Sequence, residues 1–411
     1  METNELIPHL FRTEYRKIVS VLVKTFGLSQ MEMAEDIASD TFLTAAELWG
    51  LKGLPPNPVA WLYNVAKNKT KNNLQRHQLF DGKISTEIKI NAAEKFELEI
   101  DLSPQNINDS QLQMMFAICH PSISVESQIG LSLRILCGFG IDEIADAFLT
   151  NKETINKRLF RAKEKLREEK ISINIPDEIE INQRLKTVLT TIYLLFSEGY
   201  YSANQNKMIR KELCLEAMRL CYMLIENKIT NTPEANALLS LMCFHASRFD
   251  ARINENGEPI FYHEQDATLW DADLIKKGEY FLNCAATGNV VSKFHVEAAI
   301  AYWHTHQADT KEKWENILQL YNKLLQIEYS PIAALNRTYV LSKAHTLLEA
   351  IAEAEKLNLT DNHFYFTLLG ELYKSADKAK AKQHFQSALS LAKSLTEKQN
   401  IEQKMDKLFR K

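Results

Sequence analysis

The sequence GIDEIADAFLTNKETINKRLFRAKEKLR, residues 140–167, decides the fold of the region around it. Its first part places apolar residues at i, i+3, i+4 and i+7, the stripe of a short amphipathic helix; these are Ile141, Ile144, Ala145 and Phe148. A break follows at Leu149, and a second helix starts at or just before Thr154. The inward face of that second helix consists of Ile155, Leu159, Ala162 and Leu166.

The two helices have the spacing of a helix-turn-helix. Small Ala145 lets the helices cross closely, and Ile155 closes the core between them. The outward face of the second helix is basic and carries Asn156, Lys157, Arg158, Arg161, Lys163 and Lys165. Such a helix can lie in a DNA major groove; the alternative is a solvated charged helix on a bundle. Many such motifs have Gly where Leu149 stands, so the turn either avoids positive φ or strains this residue.

Composition is that of an ordinary globular chain. The 411 residues are 45% hydrophobic and 25% charged, and the formal net charge is -4. This length predicts about two to four domains. Only 12 Gly and 10 Pro occur, which favours helix over a turn-rich β fold. The net charge does not indicate a protein that binds nucleic acid. A mildly acidic protein can nevertheless carry local basic segments that bind it.

Cysteine spacing and apolar runs exclude several classes of protein. None of the six cysteines forms a CxxC pair, so a zinc or thioredoxin-like site lacks support. The cysteines are typical of buried small hydrophobes in a reducing cytosol. The chain starts without a signal-peptide pattern, and no run approaches ~18 apolar residues. We therefore expect a cytoplasmic protein.

Periodicity and charge divide the chain into four segments. Residues 1–77 predict a helical domain, in which an acidic helix from Met31 is followed by prolines and by a basic helix from Trp61. Residues 78–108 predict an acidic linker, because residues 81–110 hold seven acidic and three basic side chains. Residues 109–172 contain the helix-turn-helix. Residues 181–411 predict a large helical extension.

The end of this extension indicates a tetratricopeptide-like repeat. The spacing of its apolar and small residues resembles one such unit: Phe366, Leu369, Gly370, Tyr373, Ala381, Phe385 and Ala388. A generic helical hairpin explains the pattern almost as well.

Several of these segments together resemble bacterial RNA polymerase sigma factors of the extracytoplasmic-function type. The stretches AEDIASDTFLTAAELW (34–49) and PNPVAWLYNVAKNKTKNNLQRH (56–77) are similar to sigma region 2, and the helix-turn-helix is similar to region 4. The phrases MMFAICHPSIS (114–124), LLFSEGYYS (194–202), LWDADLIKKGE (269–279) and SPIAALNR (330–337) resemble a subgroup with a long C-terminal helical extension. The resemblance implies an all-α fold: two small sigma domains, an acidic linker and a large tetratricopeptide-like domain.

The resemblance also implies roles for particular residues. The acidic helix would dock on the polymerase clamp through Asp36, Asp40, Phe42 and Leu43. The basic helix would face the melted −10 element, with aromatic residues stacking on bases and polar residues holding the backbone: Trp61, Tyr63, Lys67, Asn68, Lys69 and Lys71. Phe42 and Trp61 could instead fill a core, and the acidic residues could be merely solvated.

The second helix of the helix-turn-helix would enter the major groove of the −35 element. Its candidate readers are Thr154, Asn156, Lys157, Arg158 and Arg161. Arg suits guanine edges and Asn suits adenine, whereas some of these residues would contact only phosphate. The acidic linker would thread a polymerase channel as a mimic of nucleic acid, or serve as a plain solvated tether.

The residues of the extension predict a binding role rather than catalysis. Tetratricopeptide-like arrays present concave surfaces, so a protein or peptide partner is expected. His295, His304 and His306, with Glu297 nearby, suggest a metal site only weakly, because residues 304 and 306 point to different faces of one helix. The sequence has no motif for a phosphate loop or a catalytic triad. We expect no metal, no cofactor and no enzymatic activity.

These features support one hypothesis above two others. The leading one is a sigma factor that binds core polymerase and promoter DNA, with the extension regulating it in cis or adding polymerase contacts. The first alternative is a helix-turn-helix transcription regulator with a helical sensor or protein-binding domain, which would bind paired half-sites as a dimer. The second is a tetratricopeptide scaffold, or an enzyme, whose N-terminal part only recruits it to DNA.

Overall fold

The regular structure of the chain is helical. The computed structural model describes residues 3–80, 100–177, 180–201, 207–252, 260, 264–392 and 395–409. No strand occurs within these ranges, which confirms the all-α class. Contacts divide the chain into two compact units, residues 1–230 and 231–411. Most of the expected linker, residues 81–99, lies outside the described residues.

The first unit begins with three long helices: α1 (Thr3–Phe26), α2 (Met31–Lys52) and α3 (Pro58–Phe80). A short 3₁₀ turn, Leu28–Gln30, joins α1 to α2. The apolar stripe expected in α1 forms its core, since Tyr15, Ile18, Val19 and Leu22 are buried. Both α2 and α3 pack against α1, so the three helices share one core.

The helix-turn-helix segment packs on the same first helix. Its elements are α4 (Pro104–Ile118), α5 (Val125–Leu131), a π-helical turn (Ser132–Leu136), α6 (Ile141–Ala147) and α7 (Lys152–Glu168). Helix α4 starts at Pro104, inside the expected linker of residues 78–108. The Ser103 side chain caps this start by accepting the Asn106 N–H. Gly138 has a φ of +75°, and a Cβ there would lie 2.9 Å from the carbonyl oxygen of Arg12. Only glycine therefore lets this loop lie directly on the backbone of α1.

Two helices of the expected extension belong to the first unit. These are α8 (Ile181–Tyr201) and α9 (Lys207–Glu226), which pack against each other. Arg184 of α8 donates to the carbonyl oxygen of Phe116 at 2.7 Å, and the Thr191 hydroxyl donates to Gln128 Oε1 at 2.7 Å. The boundary between the units therefore falls after Thr230, well inside the segment 181–411.

The second unit is a series of helices with polar N-caps. They are α10 (Pro233–Ala246), α11 (Phe249–Arg252), α12 (Ala272–Ala285), α13 (Lys293–Thr305), α14 (Lys311–Ile327), α15 (Pro331–Ala344), α16 (Leu347–Leu357), α17 (His363–Tyr373), α18 (Lys378–Leu391) and α19 (Leu395–Phe409). Side-chain oxygens of Thr232, Asp271, Thr310, Ser330 and Thr346 each accept a backbone N–H in the first turn of the helix that follows. These caps fix the positions at which the five helices begin.

Helices α17 and α18 form the hairpin on which the tetratricopeptide-like pattern falls. Leu369, Tyr373, Ala381, Phe385 and Ala388 are all buried there. Gly370 faces the Phe385 ring so closely that an added Cβ would lie 2.7 Å from Cε1 of that ring. The small residue therefore sets the distance between the two helices.

Five of the six cysteines are buried, as the sequence predicted. Cys119, Cys137, Cys214, Cys221 and Cys243 are buried, and Cys284 is half-buried. In the part of the chain that the structure describes, no helix is both long and apolar enough to cross a membrane.

Candidate nucleic-acid interface

The second helix of the helix-turn-helix, α7, buries one face and exposes the other. Ile155, Leu159, Ala162 and Leu166 are each at most 4% exposed, as the periodicity predicted. The opposite face carries four of the five candidate DNA readers in exposed positions: Thr154, Asn156, Lys157 and Arg161. The fifth, Arg158, is half-buried, and its guanidinium lies 5.4 Å from the centroid of the Phe148 ring.

Backbone hydrogen bonds hold the turn before α7 in a strained conformation. Thr150 N–H donates to the Ala145 carbonyl at 2.9 Å, and Leu149 N–H donates to that of Asp146 at 3.2 Å. This Schellman pattern needs a left-handed residue, and Leu149 has a φ of +49°. Of the two outcomes expected at this position, the strained one occurs. The Asn151 side chain then caps α7 by accepting Thr154 N–H at 2.8 Å.

Two apolar side chains on this surface were not among the expected site residues. Phe160 is 58% exposed and Leu149 is 66% exposed. The sequence could have predicted the exposure of Phe160, because this residue falls outside the apolar stripe of α7. Apolar side chains can contact thymine methyl groups, so a large exposed aromatic beside Lys157 and Arg161 belongs to the candidate interface.

Lys163 does not belong to the exposed face, contrary to the sequence interpretation. Its ammonium group pairs with the Glu35 carboxylate of α2. Both side chains are largely buried, with 14% and 11% exposure. The flank of α7 at this position therefore faces α2 rather than solvent.

The aromatic residues of α3 have protein partners. Trp61 packs edge-on against Trp49, with ring centroids 5.3 Å apart. The Tyr63 hydroxyl donates to Glu14 Oε2 at 2.6 Å, and burial together with this carboxylate raises the pKa of Tyr63. Both rings are half-buried. Each ring is thus partly packed within the unit and partly exposed to solvent.

The polar residues of α3 form the more accessible part of the expected −10 surface. Asn68 and Lys71 are exposed, and Lys67 and Lys69 are half-buried. The ammonium group of Lys69 lies 3.9 Å from Asp40 Oδ2, which links the basic face of α3 to the acidic face of α2.

The expected polymerase-docking residues on α2 divide into two groups. Asp36, Asp40 and Leu43 are exposed, and their spacing of i, i+4 and i+7 puts them on one face. Phe42 is 4% exposed and packs edge-on against Phe11 with centroids 5.1 Å apart. It therefore supports the core of the first unit. The exposed residues of this expected surface are therefore the two carboxylates and Leu43.

The second unit has a groove between α15, α17 and α19. The groove has a volume of about 800 Å³. Its apolar lining includes Leu335, Tyr339, Phe364, Leu368 and Leu372. The polar lining includes Asn336, Lys343, Glu371, Lys374 and Lys404, and Glu371 pairs with both Lys374 and Lys404. A groove of this size, with aromatic walls and a polar rim, can hold an extended peptide.

The histidines around α13 do not form a metal site. The His295 ring contacts the Ser292 hydroxyl at 2.9 Å, and His304 is so buried that its pKa falls to about 3. In the described ranges no three His, Cys, Asp or Glu side chains lie close enough to hold a metal ion. The pKa of Glu297 is raised to about 7, mainly by burial. The charge of Lys293 lowers this pKa, and the charge of Glu328 raises it.

Sequence comparisons connect the chain to one described family and to one relative. A family model described as a family of unknown function (DUF6596) matches residues 184–286. That range begins in α8, so it includes helices of both units. An uncharacterized protein of Rhizobium meliloti (strain 1021), R00370, is 30% identical over 384 residues, which are 92% of this chain and 90% of the relative.

The chain belongs to the same family as this Rhizobium meliloti protein. The match covers nearly all of both chains. No solved structure matches the chain.

Proposed function

We propose that this protein is a sigma factor that binds core RNA polymerase and directs it to promoters. One observation carries the proposal: a single compact unit exposes a helix-turn-helix reading face on α7 and an acidic–apolar face on α2. A protein that only recognised duplex DNA would need the first of these surfaces and would have no use for the second.

The exposed residues of each surface suit their proposed partners. Lys157 and Arg161 can contact guanine edges or phosphate, and Asn156 can pair with adenine in the −35 element. On α3, Lys67, Asn68, Lys69 and Lys71 can hold the backbone of the melted −10 strand beside the partly exposed Trp61 and Tyr63. This role requires a cytoplasmic location and no catalytic activity of the chain itself.

The groove of the second unit supports a further partner. A peptide of a regulatory protein or of the polymerase would occupy the space between α15 and α17, because apolar walls and a polar rim favour an extended segment. The extension would then contribute to control of the sigma part or to additional polymerase contacts.

The experiment that tests the proposal is transcription in vitro from pooled genomic fragments, with purified core polymerase and the full-length protein. We expect discrete transcripts whose start sites share two upstream elements. The double variant Asp36→Arg/Asp40→Arg should abolish them while leaving the fold intact, because both side chains are exposed. Glu279→Arg, an exposed change on α12, serves as the matched control.

The alternative, a helix-turn-helix regulator, predicts a different result. Core polymerase with this protein alone would then give no transcripts, and an effect would occur only when a housekeeping sigma factor is also present. In that case the Asp36→Arg/Asp40→Arg variant would behave like the unchanged protein.

A further inference from the structure

Helix α9 is apolar on its outer face as well as on its buried face. The buried face packs within the first unit and consists of six residues that are each at most 1% exposed: Leu213, Cys214, Ala217, Leu220, Cys221 and Leu224. On the outer face, Leu215 is 50% exposed and Tyr222 is 47% exposed, with half-buried Met218 between them. Their spacing of i, i+3 and i+7 puts these three residues on one side of the helix.

The outer stripe of Leu215, Met218 and Tyr222 differs from the scattered apolar residues of an ordinary surface. Single exposed apolar side chains are common, whereas a contiguous set of them marks an interaction surface. A helix that is apolar all round is normally covered all round. Because the inner face of α9 already packs within the unit, the outer face is suited to a further partner.

Two ion pairs hold α9 on the first helix of the unit. Glu212 Oε2 lies 2.5 Å from Nη1 of Arg12, and Glu216 Oε2 lies 2.7 Å from Nη1 of Arg16. The side chains of the second pair are largely buried, with exposures of 16% for Glu216 and 8% for Arg16. The outer stripe therefore lies on a helix that is already in place, and a partner does not have to order it.

The two ends of the outer face carry opposite charges. Lys211 is exposed four residues before Leu215, and Glu226 is exposed four residues after Tyr222. The face is thus basic at its start, apolar in its middle and acidic at its end. Both charges are equally far from the midpoint between residues 218 and 219. A partner helix with the same spacing and the reverse order of charges would complement this face.

Helix α9 of a second copy has that reverse order when the two helices run antiparallel. With a two-fold axis at the midpoint, Lys211 of one copy is level with Glu226 of the other, and Leu215 is level with Tyr222. Such a contact is isologous, so each of these pairs occurs twice. The matched residues extend over ~22 Å of helix.

We propose that the outer face of α9 is the surface through which two copies of this chain associate, antiparallel about this axis. One pair of helices is a small interface, so the association is reversible and occurs at concentrations of roughly 1–100 μM. The inference does not depend on the proposed sigma function. Its test needs neither polymerase nor DNA.

The first measurement is sedimentation velocity of the full-length protein over a range of concentrations. We expect a monomer that converts to a dimer as the concentration rises. Leu215→Asp puts a charge in the middle of the stripe and should weaken the dimer by roughly tenfold or more. The control is Leu51→Asp, the same change at an 84% exposed leucine of α2, which should leave the dimer unchanged.

The second measurement exchanges the charges at the two ends of the outer face. Lys211→Glu alone creates two like-charge pairs in the antiparallel dimer, and Glu226→Lys alone does the same, so each should weaken association by roughly fivefold or more at low ionic strength. An equal mixture of the two variants restores both opposite-charge pairs between unlike chains. The mixture should therefore associate as strongly as the unchanged protein. Lys186→Glu, the same charge change at an exposed position of α8, is the control.

Three results would overturn the proposal. A full-length protein that stays monomeric up to roughly 100 μM does not associate in this way, and a different protein would then cover the stripe. A dimer that persists unchanged in Leu215→Asp forms through another surface. Charge variants that stay weakly associated when they are mixed exclude the antiparallel alignment of Lys211 with Glu226.

Discussion

Lys163 on α7 and Glu35 on α2 form an ion pair that joins the helix proposed to read the −35 element to the helix proposed to dock on polymerase. The residues are far apart in sequence, and each belongs to a helix with its own surface. Their contact shows that the first unit is one body in which the two proposed functions are physically connected. A substitution on one helix can therefore affect the other.

Arg161→Ala should reduce transcription from some promoters more than from others. Its side chain is exposed on α7, and loss of a base contact costs about 1–3 kcal/mol at promoters that present the matching base. The measurement is a comparison of initiation rates across a promoter set. Lys165→Ala is the control, because Lys165 already pairs with Glu169 at 2.8 Å. An equal loss at every promoter would identify Arg161 as a phosphate contact and refute base reading.

Leu149→Gly should stabilise the protein by about 0.5–1 kcal/mol. The residue has a φ of +49°, which strains a side chain with a Cβ, and it is 66% exposed, so little packing is lost. Thermal unfolding measures the change. The control is Leu348→Gly, a leucine of similar exposure (73%) in the first turn of α16, where φ is helical and the same change should lower stability. A lower melting temperature for Leu149→Gly contradicts the strain.

Glu297→Gln should stabilise the second unit above pH 7 and have little effect below pH 4.5. Burial raises the pKa of Glu297 to about 7 from 4.5, and its Oε2 has no hydrogen-bond partner. Between pH 4.5 and about pH 7 the carboxyl of Glu297 is ionised in the unfolded chain but keeps its proton in the native state. The stability of the unchanged protein therefore falls as the pH rises through this range. We expect a gain on the order of 1–3 kcal/mol at pH 8.

The test of the Glu297 prediction is the melting temperature at pH 4.5 and at pH 8. Glu279→Gln, at an exposed position of α12, is the control and should show no such difference between the two pH values. A Glu297→Gln gain that is equal at both pH values would argue against a titrating carboxyl.

Gly370→Ala should destabilise the α17–α18 hairpin by about 1–3 kcal/mol. The new methyl group would lie 2.7 Å from the Phe385 ring, and that ring is fully buried and cannot move aside. Gly50→Ala on α2 is the control, because a Cβ there meets nothing within 4 Å and should raise stability slightly. Equal melting temperatures for Gly370→Ala and the unchanged protein would show that the hairpin tolerates a wider spacing.

Sequence alone determined the helical class and much of the helix-turn-helix. The predicted inward residues Ile155, Leu159, Ala162 and Leu166 are all buried, because helical periodicity fixes which side chains share a face. The exposed positions of Asn156, Lys157, Arg161 and Lys165 followed from the same periodicity, whereas Lys163 did not lie on that face. The strain at Leu149 was one of two outcomes that the sequence left open, and the hydrogen bonds of the turn decided between them.

Tertiary structure alone decided the exposure of several other polar and aromatic residues. Phe42 and Asp40 are close together on one helix, yet Phe42 packs on Phe11 and Asp40 faces solvent. Lys163 has the sequence character of a solvated lysine, and only the position of Glu35 makes it a buried partner. The sequence also did not predict that α8 and α9 belong to the first unit. Ion pairs such as Arg16–Glu216 join residues distant in the chain, and no local pattern encodes which charges the packing of helices brings together.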